Sequence, residues 1–211
     1  MHTPSSHTPS EVDELRQHQI ALVVLLAMIP IASCLFDSRE AHEPGGVTGG
    51  CTLESPGKAF VCMTGAIASQ QDADYERTIS ENFIFSPTLE DSLDQNFTGT
   101  EVFTLWDKPT ELQALGLLFS DAETTTVDFG STKALINKNT FVRFETNYTL
   151  TVITPSPPDS TITTLYKGLA WIDVRNEGGN WRVTFWDERS TVPGFHTWGF
   201  LRGILGLRFR P

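Results

Sequence analysis

Cysteine and positive charge are scarce in this chain, and no apolar run is long enough to cross a bilayer. Its three cysteines among 211 residues are too few for a disulfide scaffold. None stands in a CxxC pair, so no zinc-ligand spacing exists. Lysine and arginine number 15 against 26 acidic residues, for a net charge of −11. Such a surface repels phosphate backbones and no basic patch offsets it, which speaks against a nucleic-acid partner. A Gly-rich phosphate loop and a nucleophile elbow are both missing. Of five histidines, only His42 and His196 lie beyond residue 34. The longest apolar run, "IALVVLLAMIPIAS" at residues 20 to 33, falls short of the roughly twenty residues that a spanning helix needs.

What is present fits one soluble-type domain. Hydrophobic residues make up 39% and charged residues 19%, which is ordinary for a folded protein with a core. The apolar run has the length of a signal-peptide core and ends in "IASC". A branched apolar residue, two small residues and a cysteine resemble the lipobox of bacterial lipoproteins. The resemblance implies that residues 1 to 33 are a signal peptide and that Cys34 becomes the acylated first residue of the mature protein. Two or three chains then hold it at the membrane, where one alone would not. Leu35, in place of an aspartate, implies the outer membrane facing the periplasm. The alternative is a buried N-terminal helix that happens to end in a cysteine.

Residues 34 to 54 read as a flexible tether, with "LFDSREAHEPGGVTGGCTLE" rich in Gly and acid and without apolar period. In an oxidising envelope Cys51 and Cys62 can pair and pin the tether to the first helix; two unpaired thiols are the alternative. A domain over 55 to 211 follows. Ser55-Pro56 is a helix start, with Phe60, Met63 and Ile67 on one face. Asp72 is placed to cap a second, short helix containing Tyr75, and Phe83 and Phe85 alternate as in a strand. A third helix is expected over about 108 to 119. From Thr124 the period becomes two: "TTTVDFG" as a short strand, then "TFVRFETNYTLTVIT", "TITTLYKGLAWIDVR" and "WRVTFWD" joined by hairpins. Helices followed by antiparallel strands predict an α+β fold with the helices on one face of a curved sheet.

These segments resemble nuclear-transport-factor-2-like (SnoaL-like, cystatin-like) domains. "PGKAFVCMTGAIASQQDADYERTISENFIFSP" matches the opening helices and strand of that family through Tyr75, Phe83 and Phe85. "GLAWIDVRNEGGNWRVTFWDE" matches its last hairpin through Gly168, Trp171, Trp181 and Trp186. The ending "WDERSTVPGFHTWGFL" further resembles a group of bacterial envelope lipoproteins. The resemblance implies a cone-shaped fold around a pocket, with Tyr75, Phe85, Trp106, Tyr148, Trp171 and Trp186 as candidate lining residues. It implies no metal or cofactor and assigns no catalytic residue.

Titratable candidates inside such a cone are few. Glu145 and Asp173 alternate with the apolar faces of their strands and are expected outside. Trp106-Asp107 and Glu111 either line the mouth of the cone or, as the favoured expectation, supply a helix cap and a solvated face. The tail, with Leu201, Ile204, Leu205 and Leu207 among Arg202, Arg208 and Arg210, either packs back onto the domain or rests on anionic lipid. Three functional readings follow. The first is a non-catalytic envelope lipoprotein binding a small apolar ligand or a protein partner in the cone. The second is a structural or assembly lipoprotein with a filled cone, acting through its surface, with a homodimer through its outer sheet face as one form. The third is an isomerase or dehydratase. An open apolar pocket supports the first, and a cone packed solid with aromatics supports the second.

Overall fold

The computed structural model describes residues 51–210. Cys34, the signal segment and most of the tether lie outside the described residues. Helix α1, Pro56–Ala68, starts where expected: the Ser55 side chain accepts a hydrogen bond from the backbone N–H of Lys58 at 3.3 Å, and proline takes the first turn. Its buried face carries Phe60, Met63 and Ile67. Cys51 and Cys62 are joined by a disulfide with Cα atoms 5.6 Å apart, so the chain entering the domain is tied to α1. Helix α2, Asp72–Thr78, differs from expectation at its start. Gln71 holds the cap position without a side-chain bond, and Asp72 is the first helical residue. There its negative charge faces the positive end of the helix dipole.

Five strands form one sheet in the order β1-β5-β4-β3-β2: β1 Ile79–Ser86, β2 Thr124–Lys138, β3 Phe141–Ser156, β4 Ser160–Glu177 and β5 Asn180–Thr191. Strands β2 to β5 pair antiparallel, and β1 adds to the edge of β5 in parallel. A short helix, α3 (Leu89–Ser92), and a longer one, α4 (Lys108–Asp121), connect β1 to β2. Asp107 caps α4, its carboxylate accepting from the backbone and hydroxyl of Thr110. Strand β2 is twice the length that "TTTVDFG" suggested. Its second half is exposed, so backbone pairing with the start of β3 holds it, and no burial pattern marks it in the sequence.

Alternation along β3 and β4 sets what enters the cone. Val142, Tyr148, Leu150 and Val152 on β3, and Ala170, Ile172 and Val174 on β4, are buried on the inner face under the helices. Tyr148 pairs with Gly168 across the ladder. A Cβ at Gly168 would meet the Tyr148 hydroxyl at 2.6 Å, so the glycine lets the ring lie over the neighbouring strand.

The tail packs back as helix α5, Trp198–Gly206, with Thr197 as its cap. Its apolar side chains alternate with glycines because the segment of residues 97 to 106 presses against it. A Cβ at Gly203 would stand 2.5 Å from the Phe97 ring, and one at Gly206 2.5 Å from Val102. No described helix is long and apolar enough to cross a membrane. Phe97 is buried edge-on against Phe103 and cannot swing away. The substitution Gly203→Val is therefore expected to lower stability by about 3 kcal/mol through overpacking, read as a shifted urea midpoint with an unchanged slope.

Candidate functional site

The interior of the cone is built on one ion pair. Arg202 of α5 is 1% exposed and Glu111, in the first turn of α4, is 2% exposed. Arg202 Nε donates to Glu111 Oε2 at 2.8 Å and Nη2 to Oε1 at 2.6 Å, a two-pronged pairing that fits the planar guanidinium. The same carboxylate accepts from the Tyr75 hydroxyl at 2.8 Å and from Trp106 Nε1 at 2.8 Å. Local sequence places the carboxylate and two of its donors: Tyr75 faces inward from α2, Trp106 immediately precedes the Asp107 cap, and Glu111 follows one turn later. Aromatic rings enclose the guanidinium, with Arg202 Cζ 4.4 Å from the centre of Phe85, 4.5 Å from Trp198 and 4.8 Å from Trp186.

A second buried carboxylate lies beside the first pair. Glu188 of β5 accepts from the Tyr148 hydroxyl at 2.7 Å and from Trp186 Nε1 at 3.0 Å. Arg202 Nη1 stands 3.8 Å from Glu188 Oε1, beyond hydrogen-bond reach, and has no other partner. The Tyr148 hydroxyl in turn accepts from the backbone N–H of Trp198 at 2.9 Å. At the edge of the cluster, the Asp91 carboxylate accepts from the hydroxyls of Thr88 and Thr197, holding α3 to the start of α5.

Burial and charge pull these groups in opposite directions. Burial alone would raise Glu111, but the Arg202 charge and four hydrogen bonds hold it below the usual carboxylate value. Arg202 is held above its ordinary value, the Glu111 charge outweighing the loss of water. Glu188 receives no such full compensation: burial pushes it up to about 7, against the opposing pull of Arg202, Tyr148 and Trp186. Burial, with the adjacent carboxylate, also raises Tyr75 and Tyr148.

A carboxyl titrating near neutrality is what acid–base catalysis requires. Catalysis also requires a substrate within reach, and here both oxygens of Glu188 are taken up by neighbours inside a packed core. A shallow, open cavity of about 240 Å³ lies between Ser92, Phe97 and the segment of residues 100 to 104, and none of the buried charged residues lines it. Among the described residues no group of three or more His, Cys, Asp or Glu is arranged to hold a metal ion.

Of the six candidate lining residues, Tyr75, Phe85, Trp106, Tyr148 and Trp186 all meet around Arg202 and Glu188. They pack there instead of lining an opening. Trp171 is on the other side of the sheet: it pairs with Glu145 across the ladder, donates to that carboxylate at 2.9 Å, and lies under Arg189 and Arg143. Alternation with the inward Ile172 requires this. Glu145 and Asp173 lie on the outer face as expected, but Asp173 is buried there and not solvated, because both prongs of Arg143 cover it at 2.6 and 2.8 Å. Glu111 is a correction, since it points into the core and not to water. Glu188 and Arg202 were not singled out by sequence reasoning. Glu188 shares parity with the inward Trp186, and Arg202 lies in a stripe with Trp198 and Leu205, so each was a charge on an otherwise apolar face.

No protein-family model matches the chain, and no curated protein matches it. Solved structures do. The Kfla4162 protein from Kribbella flavida superposes with a TM-score of 0.50 at 11% identity, over 69% of this chain and 92% of that one. The cone fold is shared. An NTF2-like family protein from Streptomyces avermitilis scores 0.46 at 14% identity, over 65% of this chain and 94% of its own. The hexachlorocyclohexane dehydrochlorinase LinA, type 2, scores 0.45 at 8% identity, over 65% and 86%. At these identities the likeness bears on the fold alone.

Two outcomes are expected from this geometry. The substitution Glu111→Ala leaves a buried guanidinium without its partner and is expected to cost about 3–5 kcal/mol, measured by chemical denaturation. Because Glu188 is raised from 4.5 to about 7, the folded state holds its proton more tightly than the unfolded chain does. Its contribution is full below about pH 4.5 and is lost as pH rises through 7. Stability measured between pH 5 and 8 should therefore fall less steeply in Glu188→Gln than in the native chain.

Proposed function

We propose that this protein is a lipid-anchored bacterial envelope protein, non-catalytic, whose folded domain acts through its surface while the cone serves as a packed core. The observation that carries this is the occupation of the cone by Arg202, Glu111 and their aromatic surround, where a ligand-binding member of such a fold keeps an opening. The anchor rests on "IASC" and a signal-like apolar run. Binding of a small apolar ligand in the cone is the weaker reading: the interior presents an ion pair and four side-chain donors, not an apolar void. An isomerase or dehydratase role is weaker still, because Glu188 has no approach from solvent.

The outer sheet face is the surface best suited to a partner. Leu165, Leu169, Trp171 and Phe185 lie half-buried in neighbouring rows on it, framed by the paired charges Arg143–Asp173 and Arg189–Asp187. Apolar side chains with satisfied charges around them suit a self-complementary contact between two copies.

The native chain expressed in a bacterial envelope is expected to incorporate labelled palmitate and to sediment with membranes, and Cys34→Ala to do neither. A native chain that takes up no label removes the anchor. Native mass spectrometry of residues 35 to 211 is expected to show protein alone, as monomer and dimer. A co-purifying small molecule released on denaturation would reinstate the ligand reading.

A further inference from the structure

We propose that the interior of the cone is a guanidinium-binding site, occupied in cis by the side chain of Arg202. This rests on the filled cone and not on the anchor, so the palmitate result does not bear on it. Most of the walls come from parts of the chain separate from the occupant. Tyr75, Phe85, Trp106, Glu111, Trp186 and Glu188 are supplied by α2, β1, the α4 start and β5, whereas Arg202 arrives on the C-terminal helix together with Trp198, which adds one ring.

The walls match a guanidinium group by group. Glu111 meets Nε and Nη2 side-on at 2.8 and 2.6 Å, a spacing that an ammonium cannot reproduce. Tyr75 and Trp106 donate to the same oxygens, which fixes the carboxylate plane before any cation enters. Three rings surround the central carbon within 4.8 Å, the arrangement by which aromatic cages hold delocalised cations. Burial removes water as a competitor on every side. The third nitrogen, Nη1, is the one polar side-chain atom among the described residues that is buried without a hydrogen bond, and it faces Glu188 at 3.8 Å. The cavity thus carries more acceptor capacity than its tethered occupant uses, as expected of a site whose ligand is positioned by a helix and not by its own best fit.

The ligand class follows: small planar guanidinium cations bearing a short alkyl stem. Arg202→Ala in the complete chain removes the atoms from Cγ outward, which N-ethylguanidinium replaces. The variant is expected to melt below the native protein and to be restored saturably by N-ethylguanidinium, with tryptophan emission following because Trp186 and Trp198 form the walls. N-ethylurea has the shape without the charge, and ethylammonium the charge without the fork. Both are expected to bind at least ~10-fold more weakly. Equal rescue by all three compounds, or rescue by none, overturns the proposal. Should Arg202→Ala not fold unaided, refolding that N-ethylguanidinium alone supports counts for it, and refolding that it does not support counts against it. Arg202→Lys and Arg202→Gln give an independent reading. A guanidinium site leaves both similarly destabilised, whereas a lysine variant that melts like the native chain shows that any cation suffices and overturns the assignment.

Discussion

The pairing of Arg202 with Glu111 is the constraint around which the remainder of the domain is arranged. Bringing two ions into a dry interior carries a penalty of several kcal/mol for each, repaid only when geometry is good and every remaining lone pair is satisfied. The structure meets that condition for Glu111 through Tyr75 and Trp106, which reach it from two different elements. It meets it less completely for Arg202, whose Nη1 stays unbonded. Three rings compensate in part by offering their negative faces to the cation. Elements distant in sequence are thereby committed to one arrangement: α2 supplies a phenol, the start of α4 a carboxylate, β1 and β5 two of the rings, and α5 the charge with the third ring.

The same constraint accounts for features that look unrelated when taken singly. Helix α5 must approach closely enough for Arg202 to reach the centre, which is why glycines face Phe97 and Val102. Asp91 accepts hydrogen bonds from the hydroxyls of Thr88 and Thr197, which ties the start of α5 to α3. Glu188 sits just outside full compensation and keeps a proton near neutrality. In an open cone such a group would be a catalyst's base; enclosed by Tyr148 and Trp186 it becomes a pH-sensitive part of the core. The physical difference is access, since the protonation chemistry is the same in both cases.

Charge is handled in two ways on the two faces of the sheet. Outside, Arg189 and Asp187 pair beside Trp171 where water screens them and contribute little to stability, Glu145 accepts from the Trp171 indole, and Asp173 is buried on that face under the two prongs of Arg143. Inside, fewer charges in a drier setting bear far more weight. Cys51 and Cys62 join the chain entering the domain to the middle of α1, an element whose buried face packs against the sheet.

Much of the fold was legible in the sequence because it rests on local rules. Ser55-Pro56 and Asp107 mark helix starts through hydrogen bonds within one turn. The alternation along β3 and β4 assigns inner and outer faces, including the outward placement of Trp171 that the candidate lining set missed. The length of β2 was not legible, since a strand exposed on both sides carries no burial pattern. Nor was α5, where glycines serving close approach hide the helical stripe. The central pair was the least accessible of all. Glu111 and Arg202 stand 91 residues apart; Glu111 alone looks like a solvated charge on an amphipathic helix, and Arg202 is a lone charge on an apolar stripe with nothing nearby in sequence to name its partner. By itself the sequence determined the helix caps at Ser55 and Asp107, the strand parity and the α+β order of elements, because those depend on neighbours a few residues away. Only the tertiary structure decided that the cone is closed, because a buried charge becomes tolerable solely when its partner arrives from the far end of the chain.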